Sequence, residues 1–496
     1  MPASLFNLIP GTTEAALRDG NPWWRGERIA GLATRKRFAY FQVLRYLKEG
    51  LAPVTVLRGP RQVGKTTLLT QIIQSLLDEG IEPKCVFRIQ FDELPSLRLM
   101  AEPISELTRW FAETQLGGSL NAALLAGQPV YLFFDEVQNL ADWAPQIKYL
   151  VDMNKGVRVL VTGSSALRIE AGRDSLAGRI TTIEMGPLLL RETAEWLTGE
   201  TLQSLLPNGH AALREKSFWV GVRDNAISLR NQRDLAFKAF SERGSYPVAQ
   251  TNPDIAWEDL SNFLTETVIL RAIQHDLRMG SRGAKRDEQL LREVFRIACR
   301  YAGQAPSPST YIADVQQSMH ANVGQQRVAA YLRFLDGTLL VRLIEPLELR
   351  LKKKRGYLKL CLCDHALRAA WLQEIVPLEP AALTALPHLM DLAGRIAEST
   401  AGYFFRSIVG LDVAHFPERP SEPEVDYVLT VGEQRIPIEI KYRRRIDHKD
   451  TVGLRSFIEK AHYNAPFGVL VTLDDSYQSE DPRIVAMPLS SLLFLR

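Results

Sequence analysis

The sequence has little cysteine and no long apolar run. Four cysteines among 496 residues exclude the small secreted proteins that disulfides hold together. No stretch reaches 18 uninterrupted apolar residues, so we predict no membrane-spanning helix. The first twenty residues lack the basic-then-apolar order of a signal peptide. We therefore expect a cytoplasmic protein with no membrane partner.

The sequence also lacks a large excess of charge of either sign. Sixty lysines and arginines against 57 acidic residues give a net charge of +3, too small by itself to indicate a nucleic-acid partner. Hydrophobic residues make up 46% and charged residues 24%, an ordinary globular composition. At roughly 100–200 residues per domain, the length predicts three or four domains. Neither an internal repeat nor a low-complexity segment is present.

Short apolar runs alternate with helical patterns between Pro53 and Met185. Buried strands that alternate with helices predict a parallel sheet covered on both faces, hence an α/β fold. The runs predicted as strands are 54–57, 85–89, 130–134, 157–161 and 180–183. Ahead of them, residues 1–50 read as an N-terminal extension with a helix at 37–48 and two tryptophans, Trp23 and Trp24, that we expect to pack.

A phosphate-binding loop follows the first of these strands and opens an amphipathic helix. The segment matches G-x-x-x-x-G-K-[ST], whose glycines let backbone N–H groups converge on phosphates at a helix N-terminus. Lys65 can reach the β- and γ-phosphates and the Thr66 hydroxyl can ligate Mg²⁺. The alternative is a fortuitous glycine-rich turn. The nucleotide-binding residues are Gly59, Pro60, Arg61, Gln62, Val63, Gly64, Lys65, Thr66 and Thr67.

Further polar side chains follow the later strands. Asp135 ends a buried strand, where it would hold Mg²⁺ beside the loop, and Glu136 would orient the attacking water. The alternative is a capping acid pair. Ser164 can sense the γ-phosphate or position water, unless it belongs to a simple Ser/Gly turn. Arg173 or, preferably, Arg179 can act as an arginine finger on a neighbouring subunit, which predicts a homo-oligomer; solvated arginines are the alternative.

These segments resemble a large group of bacterial and archaeal AAA-type P-loop ATPases. The resemblance rests on GPRQVGKTTLL, FFDEVQ, TGSSA and LAGRI, with NPWW before the loop and GSYP at 244–247. It covers nearly the whole chain. It implies ATP and Mg²⁺ as cofactors, and an ATPase core followed by a helical segment, a winged helix and a C-terminal domain.

The resulting prediction is a multidomain α/β protein. Three helices followed by a two-stranded ribbon at 285–372 is the order of a winged helix. The predicted domains are an N-terminal extension 1–50, a P-loop ATPase core 51–190, a helical lid or linker 191–280, a winged helix 281–375 and a C-terminal α/β domain 376–496.

Two strands near the C-terminus carry acids and a lysine. Glu439 and Lys441 are two apart on one strand, so they share a face, and Asp426 lies beside Glu439 if the strands form a hairpin. Two carboxylates and an ammonium on one face suit Mg²⁺ and a water nucleophile. Glu398, on a helix upstream, can complete the cluster. The alternative is an ordinary surface salt pair.

Glu398, Asp426 and Glu439-x-Lys441 resemble the restriction-endonuclease-like, or PD-(D/E)xK, nucleases. The resemblance implies that the acids, with Glu398 as a further ligand, hold Mg²⁺ or Mn²⁺, and that Lys441 acts on water or on developing charge. Val425 stands where the nominal motif has proline. A nuclease-like fold does not by itself imply retained cleavage.

Three basic clusters make DNA the favoured partner. They can neutralise phosphates, although solvated surface is the alternative for each. The clusters are Arg350 with 352–355 at the proposed wing tip, Arg292, Arg296 and Arg300 on one helix face, and Arg443, Arg444, Arg445, His448 and Lys449 after Lys441.

The leading hypothesis is an ATP- and Mg²⁺-dependent AAA-type ATPase that binds DNA through a winged helix and cleaves it with the C-terminal domain, in defence, mobile-element or repair biology. The alternative is an ATP-dependent switch or regulator that binds DNA or a protein of unknown identity and whose nuclease-like domain is inactive.

Overall fold

The computed structural model of the chain describes residues 9–92, 97, 100–140, 142–163, 176–207, 209–276, 287–348, 356–418 and 422–496. Contacts between these residues divide the chain into two compact units, with the boundary between Met185 and Gly186. Among the helices within these ranges, none combines the length and apolar character needed to cross a bilayer.

A five-stranded sheet forms the centre of the first unit. Its strand order is β2-β3-β4-β1-β5 and all of its pairings are parallel. The α/β core predicted from alternating apolar runs and helices is therefore confirmed. The strands are β1 Val54–Arg58, β2 Val86–Gln90, β3 Tyr131–Asp135, β4 Arg158–Gly163 and β5 Ile180–Glu184.

Helices surround this sheet, and the N-terminal residues belong to the same unit. The indole N–H groups of Trp23 and Trp24 both donate to the carbonyl of Val86, at 3.1 and 3.0 Å, so both tryptophans pack as predicted. The helices are Gly11–Asp19, Phe38–Glu49, Lys65–Asp78, Pro103–Thr114, Leu120–Leu125 and Trp143–Met153, with 3₁₀ turns at Pro22–Arg25, Pro83–Cys85 and Val137–Asn139.

Helices also open the second unit, and they share a hydrophobic core with the C-terminal residues. Buried Arg233 pairs with Asp475 at 2.7 Å, and Arg191 Nε donates to the carbonyl of Phe494 at 2.9 Å. The predicted lid or linker 191–280 thus packs into the same unit as the C-terminal strands. Its helices are Leu190–Thr198, Lys216–Ser228, Arg230–Arg243, Pro247–Thr251 and Trp257–Leu264, with π-helical turns Thr265–Leu270 and Ala272–Asp276 and a 3₁₀ turn Ala211–Arg214.

Three helices and a ribbon come next, in the order expected from the sequence. The helices are Glu288–Arg300, Pro308–Met319 and Gln325–Gly337, and the strands are β6 Val341–Pro346 and β7 Lys359–Leu362. The ribbon is antiparallel, with Val341 opposite Leu362. It is not isolated, because β6 also pairs with β8 through Glu345 and Ala414.

A seven-stranded mixed sheet results, in the order β12-β11-β10-β9-β8-β6-β7. The predicted boundary at 375/376 therefore crosses one continuous sheet. The strands are β8 Asp412–Phe416, β9 Val425–Val431, β10 Gln434–Lys441, β11 Gly468–Thr472 and β12 Ile484–Pro488. The remaining helices are His365–Leu372, Pro380–Thr384, Met390–Arg406, Val452–Glu459 and Leu489–Leu493, with 3₁₀ turns at Pro387–Leu389, His448–Thr451 and Ala461–Tyr463.

Candidate functional sites

The phosphate loop joins β1 to the helix Lys65–Asp78, as the motif requires. Gly64 caps this helix in the left-handed region at φ 94°, where an L side chain is strained. Lys65 is buried, and its ammonium donates to the loop carbonyls of Gly59 and Pro60 at 3.1 and 2.8 Å. The lysine is thus folded over its own loop, in reach of a phosphate placed there.

Close packing explains the first glycine of the motif. A Cβ on Gly59 would lie 2.1 Å from the carbonyl oxygen of Met185, so no other residue fits without moving the backbone. Gln62 also has a positive φ of 64°. The tight loop that a phosphate needs is therefore formed by backbone geometry. Arg37 supports this loop, because its guanidinium donates to the carbonyl of Val63 at 2.8 Å.

Asp135, fully buried at the end of β3, meets the helix that follows the loop. Burial raises the pKa of its carboxyl, while hydrogen bonds from Thr162 and Thr66 and the charge of Arg88 act against that increase. The hydroxyl of Thr66 and the carboxylate of Asp135 thus lie together, as expected for two groups that bind one Mg²⁺. Oxygen donors are the ligands that Mg²⁺ prefers, so the residues fit this ion.

Glu136 follows in a left-handed conformation at φ 55°, which turns its side chain out of the strand direction. Its N–H donates to Thr162 Oγ1 at 3.1 Å, and its carboxylate accepts from the amide of Gln138. Thr162 therefore contacts both residues, whereas the sequence pattern had indicated Ser164, two residues further along the chain. Ser164 and Arg173 lie outside the described residues.

Arg179 lies at the end of the sheet where the parallel strands begin, whereas the phosphate loop lies at the end where they finish. Its carbonyl accepts from the N–H of Val54, where β1 begins, whereas the loop follows the end of β1. The five residues of β1 separate these two ends of the sheet by about 13 Å. The guanidinium is held by both carboxylate oxygens of Asp152, at 2.6 and 3.0 Å. Arg179 therefore does not serve the nucleotide site of its own chain.

The C-terminal acids come together as the hairpin prediction requires. β9 and β10 are antiparallel in a register that places Glu439 opposite Asp426. The N–H of Ile440 donates to Asp426 Oδ2 at 2.8 Å, and Lys441 Nζ lies 2.5 Å from Glu439 Oε1. Glu398, from the helix Met390–Arg406, shares a hydrogen bond with Asp426. All four predicted residues thus belong to one site.

Sequence reasoning missed the residue at the centre of this site, Lys359. It is 1% exposed, and its ammonium pairs with Glu398 and lies 3.6 Å from Asp426 Oδ1 and 3.9 Å from Glu424 Oε1. It also donates to the carbonyl of Asp426 at 3.2 Å. The signal was a single lysine within the apolar run 357–363, and the structure places it at the start of the buried strand Lys359–Leu362.

Burial dominates the electrostatics of the cluster. It raises the pKa of Glu439 to about 8, with a further contribution from Asp426, and raises that of Glu398 well above its ordinary value. Burial opposes the charged form of Lys359, yet the charges of Glu398 and Asp426 outweigh it and raise the pKa of the lysine. The ammonium of Lys359 is therefore retained, whereas Glu398 and Glu439 bind protons more readily than ordinary glutamates do.

A metal fits this cluster only in part. Within the described residues, no group of three or more histidines, cysteines, aspartates or glutamates is arranged to hold a metal ion. The predicted ligands Glu398 and Asp426 are instead engaged by Lys359. One donor does await a partner, because Glu439 Oε2 is buried without a hydrogen bond. A cavity of about 600 Å³ opens onto the site and is lined by Lys359, Arg395, Glu398, His415, Glu424 and Asp426.

Two segments of the chain match known families. Residues 52–194 match an AAA domain family, and residues 396–492 match a domain of unknown function, DUF4143. Together with the parallel sheet and the phosphate loop, the first match defines an AAA-type P-loop ATPase domain. The second covers the strands and helix that carry Glu398, Asp426, Glu439 and Lys441.

The curated relatives are uncharacterized proteins. One from Mycobacterium tuberculosis is 30% identical over 217 residues, which is 42% of either chain. One from Methanocaldococcus jannaschii is 30% identical over 32% of either chain, and one from Haemophilus influenzae is 21% identical over 62% of this chain and 65% of the relative. The chain thus spans less than half the length of the mycobacterial relative.

Solved structures give more distant similarities. The Walker-type ATPase PABY2304 of Pyrococcus abyssi is 16% identical with a TM-score of 0.44, over 69% of this chain and 99% of that one. Cdc6p from Pyrobaculum aerophilum is 12% identical with a TM-score of 0.26, over 70% and 96%.

Proposed function

We propose that the chain hydrolyses ATP in its AAA-type domain and uses the nucleotide state to control the binding of DNA by its second unit. The observation that carries the ATPase part is the convergence of Lys65, Thr66, Asp135 and Glu136 where β1 and β3 end. Bound ATP would supply the γ-phosphoryl group that water attacks, and Mg²⁺ would neutralise the charge that develops on it. Lys65 would bind phosphate, Thr66 and Asp135 would hold the ion, and Glu136 would orient the water.

A homo-oligomer belongs to this proposal. Arg179 is about the length of strand β1 away from the nucleotide site of its own chain, and it is oriented by Asp152. An arginine in that position completes a nucleotide site only across a subunit boundary.

The proposed DNA-binding element is the helix Gln325–Gly337, third in the helix–ribbon segment. In a winged helix the third helix enters the major groove. Its exposed face carries amides and guanidinium groups and no acid of its own: Gln325, Gln326, Arg327, Ala330 and Arg333. Arg327 also lies 3.6 Å from the exposed carboxylate of Asp287, a longer and more solvated contact than the ion pairs on the helix Glu288–Arg300. Arginine and glutamine are side chains that read base edges and neutralise phosphates.

Two other basic clusters contribute differently. On the helix Glu288–Arg300, Arg292 pairs with Glu288 and Arg296 with Glu293, so the predicted basic face there is largely neutralised within the helix. By contrast, Arg445 and Lys449 are exposed after Lys441, beside the acidic cluster. The proposed wing tip, including 352–354, lies outside the described residues.

DNA cleavage is the second candidate function, and Glu439 favours it. Its buried Oε2 has no hydrogen-bond partner, which costs free energy unless a ligand binds there. Mg²⁺ or Mn²⁺ would activate water beside Lys441. The engagement of Glu398 and Asp426 by Lys359 favours the non-cleaving switch as the first candidate.

DNA binding by the full chain tests the proposal. Reversing Arg327 and Arg333 to glutamate should weaken duplex binding at least tenfold and flatten its salt dependence, because fewer counterions are released. Reversing Arg223, an exposed arginine elsewhere in the same unit, is the matched control. Equal affinity and salt slope for all proteins would contradict DNA binding by this helix.

Cleavage is tested separately by nicking of supercoiled DNA with Mn²⁺. Activity that is lost on Asp426→Ala would replace the switch by the nuclease as the leading function. Binding without nicking supports the switch.

A further inference from the structure

We propose that the Lys359 ammonium is the resident cation of the acidic cluster, and that a divalent metal enters only when this ammonium is displaced. This inference rests on the nuclease-like cluster of the proposed function, but it concerns metal binding alone. It assigns to Lys359 a role as a built-in counter-ion that a metal must displace.

The contacts of Lys359 use the oxygens that a metal would need. Its ammonium pairs with Glu398 Oε1 and lies 3.6 Å from Asp426 Oδ1. Mg²⁺ binds such oxygens at 2.0–2.1 Å, so an ion on them would lie within about 3–4 Å of Nζ. Two cations that close in a buried site repel each other strongly, so only one of them is held at a time.

The lysine is fixed in this position by more than charge. Its ammonium donates to the carbonyl of Asp426 and lies 4.9 Å from the ring centroid of Tyr427. The Tyr427 hydroxyl in turn donates to the carbonyl of Glu398 at 2.8 Å. A buried ammonium is stable only when paired and hydrogen-bonded in this way.

Glu439 gives an independent observation, an oxygen donor of the cluster that no partner satisfies. It is 6% exposed, and its Oε2 is buried with no partner, facing the helix Val452–Glu459 near Gly453. The carboxylate is not satisfied by Lys359. A divalent ion that displaced the ammonium would find Asp426 and, opposite it across the β9–β10 pair, the carboxylate of Glu439.

The backbone beside Lys359 is held on both sides. β7 pairs within the seven-stranded sheet with β6. On its other side, the N–H of Leu360 donates to the carbonyl of Gln304 at 2.9 Å, and the N–H of Gly303 donates to the carbonyl of Leu360 at 2.7 Å. Displacement of the ammonium by a metal therefore concerns the flexible side chain of Lys359, not its strand.

Mn²⁺ titration of the nucleotide-free full chain, followed by electron paramagnetic resonance, tests the inference. Lys359→Met should bind one more Mn²⁺ than the wild type, and Lys359→Met/Asp426→Asn should lose that ion. Any Mn²⁺ bound at the phosphate loop is common to all variants and cancels. Lys460→Met, which removes a lysine paired with Glu422 outside the cluster, should match the wild type.

Two results would overturn the inference. One is a wild-type protein that already binds an Mn²⁺ that Asp426→Asn removes, because metal would then enter beside the lysine. The other is the finding that the Lys359→Met variant binds no more Mn²⁺ than the Lys359→Met/Asp426→Asn double variant.

Stability provides a second readout. Lys359→Met leaves repelling carboxylates, so its unfolding temperature should fall and Mn²⁺ should restore it. A Lys359→Met chain that does not fold even with Mn²⁺ contradicts the inference, because metal then fails to replace the ammonium. ATP hydrolysis and DNA binding, measured on the same proteins, report separately on the proposed function.

Discussion

Thr162 and Asp135 are joined by a hydrogen bond from the threonine hydroxyl to Oδ1 of the buried carboxylate. The same hydroxyl oxygen accepts the N–H of Glu136 at 3.1 Å. One side chain on β4 thus orients both acids at the end of β3, Asp135 and Glu136. A residue that positions two groups of a nucleotide site affects turnover without touching the nucleotide itself.

Replacement of this threonine should therefore separate binding from turnover. Thr162→Val keeps the shape but removes both hydrogen bonds, and should lower kcat for ATP about 10–100-fold, as loss of supporting contacts commonly does. Thr162→Ser should restore most of the activity. ATP affinity, measured by calorimetry, should change little; a parallel loss of affinity and kcat would indicate misfolding of the loop instead.

Lys65→Ala and Glu136→Gln should have different effects. The first removes the ammonium from the β/γ charge, so both nucleotide affinity and hydrolysis should fall. The second leaves the Thr66–Asp135 pair intact, so ATP should bind while hydrolysis stalls. Steady-state hydrolysis and binding of a fluorescent ATP analogue distinguish them. Native turnover in Glu136→Gln would remove this glutamate from catalysis.

Arg179 can be tested against its own ion-pair partner. As a finger acting in trans, Arg179→Ala should lose hydrolysis by up to about 10³–10⁵-fold and retain ATP binding. Asp152→Ala breaks the same ion pair but leaves the guanidinium, so it should retain much of the activity. Equal losses in both variants would assign a structural role to the pair.

Complementation addresses the same point. Mixing Arg179→Ala with Glu136→Gln should recover some hydrolysis, because mixed interfaces combine an intact arginine with an intact glutamate. Sedimentation should show an oligomer. A monomer whose specific activity does not depend on protein concentration contradicts the trans arrangement.

Local patterns predicted most of the fold of the first unit. Strands β1, β3 and β4 are largely apolar runs and the helix Lys65–Asp78 has a clear apolar stripe, so period and motif predict them. Thr66 and Asp135 could be paired from sequence because the carboxyl ends of parallel strands share one edge. The hairpin of Asp426 and Glu439 followed in the same way from alternation and the turn at Gly432, whose φ is 62°.

Long-range relationships were not predictable. The pairing of β6 with β8 joins the ribbon to the C-terminal sheet across 60 or more residues, and no local pattern encodes it. Lys359 lies far in sequence from Glu398 and Asp426, and a buried lysine is recognisable only once its partners are placed. For the same reason, the sequence did not predict the ion pair between Arg233 and Asp475, which joins the segment 191–280 to the C-terminal residues.

The buried carboxyl of Glu439 predicts a pH dependence of stability. Its pKa is about 8 in the folded chain against an ordinary 4.5, mainly because of burial. Between these values the folded state holds a proton that the unfolded state has lost. The free energy of unfolding should therefore fall as pH rises, with this group contributing at most about 1.4 kcal/mol per pH unit.

Glu439→Gln should reduce this slope, because an amide does not titrate, and should raise stability at pH 8 relative to the wild type. Urea titrations at pH 5.5, 6.5 and 7.5 measure how the free energy of unfolding changes with pH in each protein. Glu433→Gln, at an exposed position in the turn of the same hairpin, is the matched control and should leave the slope unchanged. An unchanged slope in Glu439→Gln would show that this carboxyl does not carry the effect.

Two glycines on the helix Met390–Arg406 should respond in opposite ways to alanine. A Cβ on Gly402 would lie 2.4 Å from both Cys361 Sγ and the hydroxyl oxygen of Tyr427, whereas a Cβ on Gly394 meets its nearest neighbour, Tyr442, at 4.0 Å. Alanine is favoured over glycine inside a helix by about 1 kcal/mol. Gly394→Ala should therefore stabilise the chain by up to that amount, with no steric cost.

Gly402→Ala should instead destabilise the chain by about 1–3 kcal/mol, because forcing a methyl group into a close-packed contact outweighs the helix propensity. The Tyr427 hydroxyl would have to move away from the carbonyl of Glu398, so the acidic cluster should be disturbed as well. Urea midpoints of the two variants measure the difference in sign. If both alanines stabilise, helix and sheet do not approach as closely at Gly402 as the structure places them, and the position of Glu398 beside Asp426 would need revision.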